Sequence, residues 1–151
     1  MLKYCRDKWE ENKDKLEKAL REDDGLNDCD YSELVAMVVK HILNPGENDY
    51  DTYDSGNITV IDDGHYQGTL LFMIPMDTYQ PSEYEYLLTY VGYGSCSGCD
   101  TLKSIQDWGD KKLTDSQVKD FMGLCKDLVC NIVKPYNGGW RNDDRFTEVA
   151  D

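Results

Sequence analysis

The fold is decided by the stretch from Ile58 to Tyr93, which reads ITVIDDGHYQGTLLFMIPMDTYQPSEYEYLLTYVGY. Three runs in it, 58–61, 67–76 and 84–93, are rich in aliphatic, β-branched and aromatic residues. An Asp-Asp-Gly hairpin signal separates the first two runs, and a turn containing proline separates the last two. The stretch therefore predicts three consecutive antiparallel strands.

Amphipathic helices are predicted on both sides of these strands. Before them, two apolar stripes follow the helical period, and the second is preceded by a capping box, Asp30 with Glu33. After them, a second capping box, Thr114 with Gln117, precedes another apolar stripe. The predicted helices are residues 1–21, a segment from Tyr31 that stops at Asn44, a short segment from about Cys99 to Trp108, and a segment from Thr114 that stops at Pro135.

The order of these elements, ααβββαα, implies an α+β fold in which helices flank a three-stranded antiparallel meander. The chain has 151 residues, 40% of them hydrophobic, which is enough for one core and one domain. We predict a single domain over residues 1–136. Residues 137–151 carry two glycines and many charges, and they are predicted to form a flexible C-terminal tail.

Negative charge is concentrated in the middle of the chain. The sequence has a net charge of -14, and residues 23–107, with sixteen acidic and two basic side chains, account for all of it. Residues 1–22 and 108–151 are nearly balanced. Soluble proteins usually intersperse the two signs, because concentrating one sign destabilises the fold by self-repulsion. The uneven distribution therefore indicates a function for the acidic segment.

The charge also excludes some classes of function. It argues against direct binding to nucleic acid or to an anionic membrane, because both would repel the protein. No apolar run is long enough to span a bilayer, and the N-terminus lacks the apolar core of a signal peptide. We therefore expect a cytoplasmic protein whose six cysteines stay reduced.

Tyrosines accompany the acidic residues. Nine of the eleven tyrosines lie between Tyr31 and Tyr93, and tyrosine is favoured at protein interfaces because it covers a large area at low entropic cost. Carboxylates and tyrosines that converge on one face would bind a basic protein surface, and no catalytic residue is needed for this. The predicted partner-binding residues are Asp49, Tyr50, Asp51, Tyr53, Asp54, Asp62, Asp63, Tyr79, Glu83 and Glu85.

Cys96 and Cys99 suggest a different kind of site. A Cys-x-x-Cys pair at the start of a helix is typical of thiol redox chemistry, since the helix dipole favours the thiolate. The pair could also be half of a zinc site, although Cys125 and Cys130 lie on different faces of one helix and cannot both complete it. The simplest interpretation is a tight turn in which both thiols pack as small apolar groups, with no cofactor.

The segment YGSCSGCD, from Tyr93 to Asp100, together with the following helix to Trp108, is similar to a stretch in small proteins of tailed bacteriophages. The resemblance covers a minor part of the chain, and that family carries no settled chemistry to transfer. It implies a phage-encoded protein in the host cytosol. Small acidic phage proteins resemble anti-restriction or anti-CRISPR inhibitors, some of which imitate the phosphate array of DNA, and here such mimicry would be confined to residues 23–107.

We therefore expect an acidic binding protein that inhibits a nucleic-acid-binding host enzyme, a defence nuclease, by occupying its basic groove. One alternative is a protein with a zinc or thiol site at Cys96 and Cys99. The other is a homo-oligomeric structural or regulatory phage protein whose acidity only confers solubility.

Overall fold

A computed structural model describes residues 1–46, 52–135 and 144–150 of the chain. Its element order is that of the predicted α+β meander, and the fold class is confirmed. The three strands begin and end within two residues of the predicted positions. The helices and strands are α1 Lys3–Glu22, α2 Tyr31–Val38, β1 Thr59–Asp62, β2 Gly68–Pro75, β3 Tyr86–Tyr93, α3 Thr101–Ile105 and α4 Asp115–Cys130.

Helices α1 and α2 form the N-terminal half of the core. The apolar stripe of α1 is buried, and one amide lies within it: Asn12, whose Nδ2 donates to the carbonyl of Ile42 at 2.9 Å. One half of the predicted capping box of α2 is present, since the Asp30 side chain accepts from the backbone N–H of Glu33 at 2.8 Å. A π-helical turn, Val39–Leu43, continues α2 and packs against α1. Within the described ranges, no helix combines the length and the apolar composition needed to cross a membrane.

The sheet has the strand order β1-β2-β3, with both pairs antiparallel. Side chains alternate between its two faces, as the pleat requires. Phe72 on β2 and its β3 partner Thr89 are buried under the helices. Leu71 and its partner Tyr90 lie on the opposite face, where 47% of Tyr90 is exposed. One face of the meander therefore closes the core.

Helix α4 covers that inner face. Its predicted capping box is present, with Thr114 and Gln117 bonding each other's backbone N–H groups. The Thr89 hydroxyl donates to the carbonyl of Leu128 at 2.6 Å and so ties β3 to α4. The helix ends at Cys130 rather than at Pro135, because the chain turns there and Val133 forms a β-bridge with Leu88.

Helix α3 is shorter than the predicted 99–108. It begins only after Asp100, which caps it, because residues 96–99 form a separate turn. It ends at Ile105 because the next side chain, Gln106, donates to the carbonyl of Leu26 at 2.9 Å and draws the chain away from the helix axis.

Part of the predicted C-terminal tail contacts the N-terminal end of the domain. Residues 144–150, the part of it that the structure describes, lie against the N-terminus. The Phe146 ring contacts the Tyr4 ring with centroids 5.3 Å apart, and Lys3 donates its backbone N–H to the Thr147 carbonyl at 2.8 Å. An apolar ring that can join the core offsets the entropic cost of ordering this segment.

Candidate functional site

The described members of the predicted acidic face lie at two separate ends of the sheet. Asp62 and Asp63 lie at the β1–β2 hairpin, whereas Tyr79, Glu83 and Glu85 lie in the connection between β2 and β3. Because β2 and β3 pair along all eight residues of each strand, the hairpin and this connection lie at opposite ends of the strand pair. At about 3.3 Å per residue, the two groups are roughly 23 Å apart. Asp49, Tyr50 and Asp51 lie outside the described residues.

Tyr53 is wrong as a predicted contact residue. Only 2% of it is exposed, and its ring meets that of Tyr4 edge to face. Asp54, predicted beside it, is half-buried and stabilises a turn, since its Oδ1 accepts from the backbone N–H of Gly56 at 2.9 Å. Tyr79, by contrast, is 92% exposed. Tyr53 and Tyr79 both lie outside the predicted strands, where no alternating pattern indicates which side chain is buried.

The hairpin end of the sheet carries an exposed carboxylate–phenol pair. The Tyr93 hydroxyl donates to Oδ1 of Asp62 at 2.6 Å, and the backbone N–H of Gly64 donates to the same oxygen at 2.9 Å. The bond from Tyr93 holds the pKa of the Asp62 carboxyl below its usual range. The same bond raises the pKa of Tyr93 to about 12.

This pair predicts a titration signature. The raised pKa of Tyr93 means that its bond to Asp62 stabilises the fold below pH about 10 and is lost as the pH rises towards 12. At the acid end, the bond is lost as the pH falls through the lowered pKa of Asp62. Tyrosinate absorbance of Tyr93→Phe should lack one late-ionising group, and Asp62→Asn should move that group back towards pH 10. If both variants gave the same tyrosinate titration curve as the wild type, the pairing of Tyr93 with Asp62 would be contradicted.

Beside this hairpin, the fold assembles a groove that the sequence did not reveal. Two adjoining cavities of about 590 and 280 Å³ share Lys103 and Gln106 in their walls. Exposed aspartates from three separate segments line them. We call this feature the acidic groove and define it by the carboxylates Asp28, Asp30, Asp62, Asp107 and Asp110.

Little positive charge compensates the acidic groove. Among the described residues, the only ion pair of these five carboxylates is that of Asp107 with Lys111, at 2.8 Å. Lys103, the one cation in the described walls, donates its Nζ to the Ser95 carbonyl at 3.3 Å. Partial burial, and after it the charges of Asp30, Asp28 and Asp23, raise the pKa of nearby Glu33.

An exposed tryptophan lies in the wall of the larger cavity. Trp108 is 91% exposed, although its indole is one of the largest apolar side chains. Tryptophan is enriched among the residues that dominate binding energy in protein interfaces. The sequence pattern indicates Trp108 only as the end of a predicted helix. The groove combines residues about 80 positions apart, so no local signal could find it.

A buried carboxylate forms the floor of the smaller cavity. Asp100 is 4% exposed and accepts three hydrogen bonds: from the Tyr31 hydroxyl at 3.1 Å, from the Gly94 N–H at 2.9 Å and from the Lys103 N–H at 2.9 Å. The Tyr31 oxygen in turn accepts from the Leu102 N–H at 3.1 Å. Burial raises the pKa of Tyr31 to about 12, and the Asp100 charge adds to the shift. This network joins α2, the end of β3 and α3.

Cys96 and Cys99 lie on the loop above that carboxylate, and both are exposed. Their Sγ atoms are 3.1 Å apart. The predicted helix-dipole effect is absent, because α3 begins two residues after Cys99 and has only five residues. Hydrogen bonds from Cys96 to the Cys99 sulfur lower the pKa of the Cys99 thiol instead.

The structure does not bring the other cysteines to this pair. Cys125 is buried in the core and Cys130 is half-buried near the end of α4. Across the described part of the chain, no group of three or more His, Cys, Asp or Glu side chains is arranged to hold a metal ion. The two thiols are thus a pair without further ligands from these residues. No family model, curated protein or solved structure matches the chain.

Proposed function

We propose that this is a binding protein that inhibits a nucleic-acid-binding enzyme, a defence nuclease of a phage host, by engaging its basic surface. The observation that carries the proposal is the acidic groove, in which carboxylates from distant segments meet with little compensating charge. Lysine and arginine side chains that bind phosphates in such an enzyme would bind the carboxylates of the acidic groove instead.

The groove favours arginine as the group that it binds. A guanidinium can make two parallel hydrogen bonds to one carboxylate and can stack on an indole at the same time. Asp110 and Trp108 line the same cavity and are both exposed, so one arginine could use both. The rest of the negative surface, including Asp63 at the hairpin, would steer a basic partner towards the groove.

The proposal predicts loss of inhibition when the groove is neutralised. The triple variant Asp28→Asn, Asp30→Asn, Asp110→Asn removes three carboxylates, and asparagine at position 30 still caps α2. We expect its inhibition constant to rise about tenfold at low salt, and less at high salt, because screening weakens charge pairs in the wild type. The measurement is plasmid cleavage by a panel of purified bacterial defence nucleases.

The matched control carries the same change in charge elsewhere. Asp14, Asp77 and Asp120 are exposed, lie outside the walls of the acidic groove and are not among the predicted partner-binding residues, so Asp14→Asn, Asp77→Asn, Asp120→Asn should change inhibition less than twofold. In the same assay Trp108→Ala should weaken inhibition about tenfold or more without changing stability. Equal effects of the two triple variants, or no inhibition of any nuclease by the wild type, would reject the proposal.

A further inference from the structure

The loop between β3 and α3 carries chemistry that the binding function does not use. We propose that Cys96 and Cys99 form a dithiol that exchanges with low-molecular-weight disulfides and closes reversibly to an intramolecular disulfide. This inference stands on the geometry of the loop and does not depend on the acidic groove.

The loop holds the two sulfurs ready to react. The Cys99 backbone N–H donates to the Cys96 carbonyl at 3.1 Å, which closes a tight turn and brings the Sγ atoms to 3.1 Å. Asp100 fixes both ends of the loop, since it accepts from the Gly94 N–H and leads into α3. A β-turn keeps its first and last Cα atoms within about 7 Å, a separation that overlaps the range of disulfides.

Gly94 is the residue that makes this arrangement possible. A Cβ atom at position 94 would lie 2.5 Å from the Cys99 carbonyl oxygen and 2.6 Å from its Sγ. The loop therefore folds directly over the glycine, and any side chain there would push Cys99 away from its present position. Position 94 thus controls where the reactive sulfur sits.

Cys99 is the attacking thiol. The Cys96 backbone N–H donates to the Cys99 sulfur at 3.3 Å, and the Cys96 thiol, 3.1 Å away, can donate to that sulfur once it is a thiolate, so a negative charge on Cys99 is stabilised. Three other cysteines are protected by burial, which raises the pKa values of Cys5 and Cys29 to about 12 and that of Cys125 further. Reaction at neutral pH should therefore be selective for the loop.

The exchange proceeds in two balanced steps. The Cys99 thiolate attacks one sulfur of an external disulfide such as oxidised glutathione, whose S–S bond breaks and releases one glutathione thiolate. Cys96 then loses its proton to solvent and attacks the Cys99 sulfur, which releases the second glutathione. Two protein thiols are oxidised to one disulfide, and one external disulfide is reduced to two thiols.

Intact mass and peptide mapping after incubation with oxidised glutathione test the inference. The wild type should lose two hydrogen atoms in mass, with the bond mapped to Cys96 and Cys99, and should recover its mass with excess reduced glutathione. Cys96→Ser should accumulate a stable glutathione adduct on Cys99, because no second thiol is available to displace it. Cys99→Ser should react about tenfold more slowly, because the activated thiolate is gone.

Two further variants separate this chemistry from general thiol reactivity. Cys130→Ser should behave like the wild type, since Cys130 lies outside the loop and is only half-exposed. Gly94→Ala should slow closure of the disulfide while both thiols remain open to alkylation. The inference would be overturned if the wild type trapped its adduct on Cys96 instead of Cys99, or if it formed no disulfide after prolonged incubation. Stoichiometric zinc bound through the pair would overturn it as well.

Discussion

Replacing Asp100 with alanine is expected to lower the free energy of unfolding by about 3 kcal/mol. The substitution removes the acceptor of three hydrogen bonds at a nearly fully buried position. The backbone N–H groups of Gly94 and Lys103 and the Tyr31 hydroxyl would then lose the acceptor that they share. An unsatisfied buried donor costs about 1–3 kcal/mol, which makes this one of the most sensitive polar positions in the chain.

Urea unfolding of Asp100→Ala and of two comparison variants measures the effect. Asp100→Asn keeps one acceptor oxygen and should fall between the wild type and the alanine variant. Asp110→Ala removes an exposed carboxylate from the rim of the acidic groove and should change stability by less than about 0.5 kcal/mol. If Asp100→Ala were as stable as Asp110→Ala, the network could not be holding the loop.

Replacing Phe72 with alanine is expected to cost about 3–5 kcal/mol, the largest effect that we predict. Phe72 is fully buried at the middle of the central strand, where its ring fills space between the sheet and the helices. Its removal takes apolar contacts from both layers and leaves a cavity that the paired strands on either side cannot close.

Tyr90→Ala on the same sheet is the matched control. Tyr90 lies on the opposite face and is 47% exposed, so its removal should cost about 1 kcal/mol. The midpoint of thermal unfolding should therefore fall several times further for Phe72→Ala than for Tyr90→Ala. A reversed order would mean that the helices cover the other face of the meander.

Local sequence signals were sufficient for the elements of the fold. Both predicted caps, at Asp30 and Thr114, form the hydrogen bonds that their residue types prefer. The strands follow from their residue types and from the turns between them. The end of α4 was misplaced because proline marks only where a helix must stop, whereas a β-bridge to Leu88 stops it earlier.

The candidate site was less predictable, because it depends on distances that only the fold sets. Antiparallel pairing places Asp62 and Glu85 at opposite ends of the sheet, although both belong to one acidic segment of the sequence. The same folding places Asp110, from the balanced C-terminal part, in the wall of the cavity that Asp28 also lines. Charge counted along a chain thus indicates that an acidic surface exists, but not which carboxylates share it.

The buried amide of Asn12 affects how α1 is aligned with the π-helical turn Val39–Leu43. Apolar burial is non-directional, so the apolar contacts of α1 fix its alignment less sharply than a hydrogen bond does. A slide of four residues would place Lys8 or Leu16 opposite the Ile42 carbonyl, where Asn12 now donates. Neither alternative restores that bond without burying an ammonium group or stranding the carbonyl. The hydrogen bond from Asn12 therefore fixes the alignment of two surfaces whose other contacts are apolar.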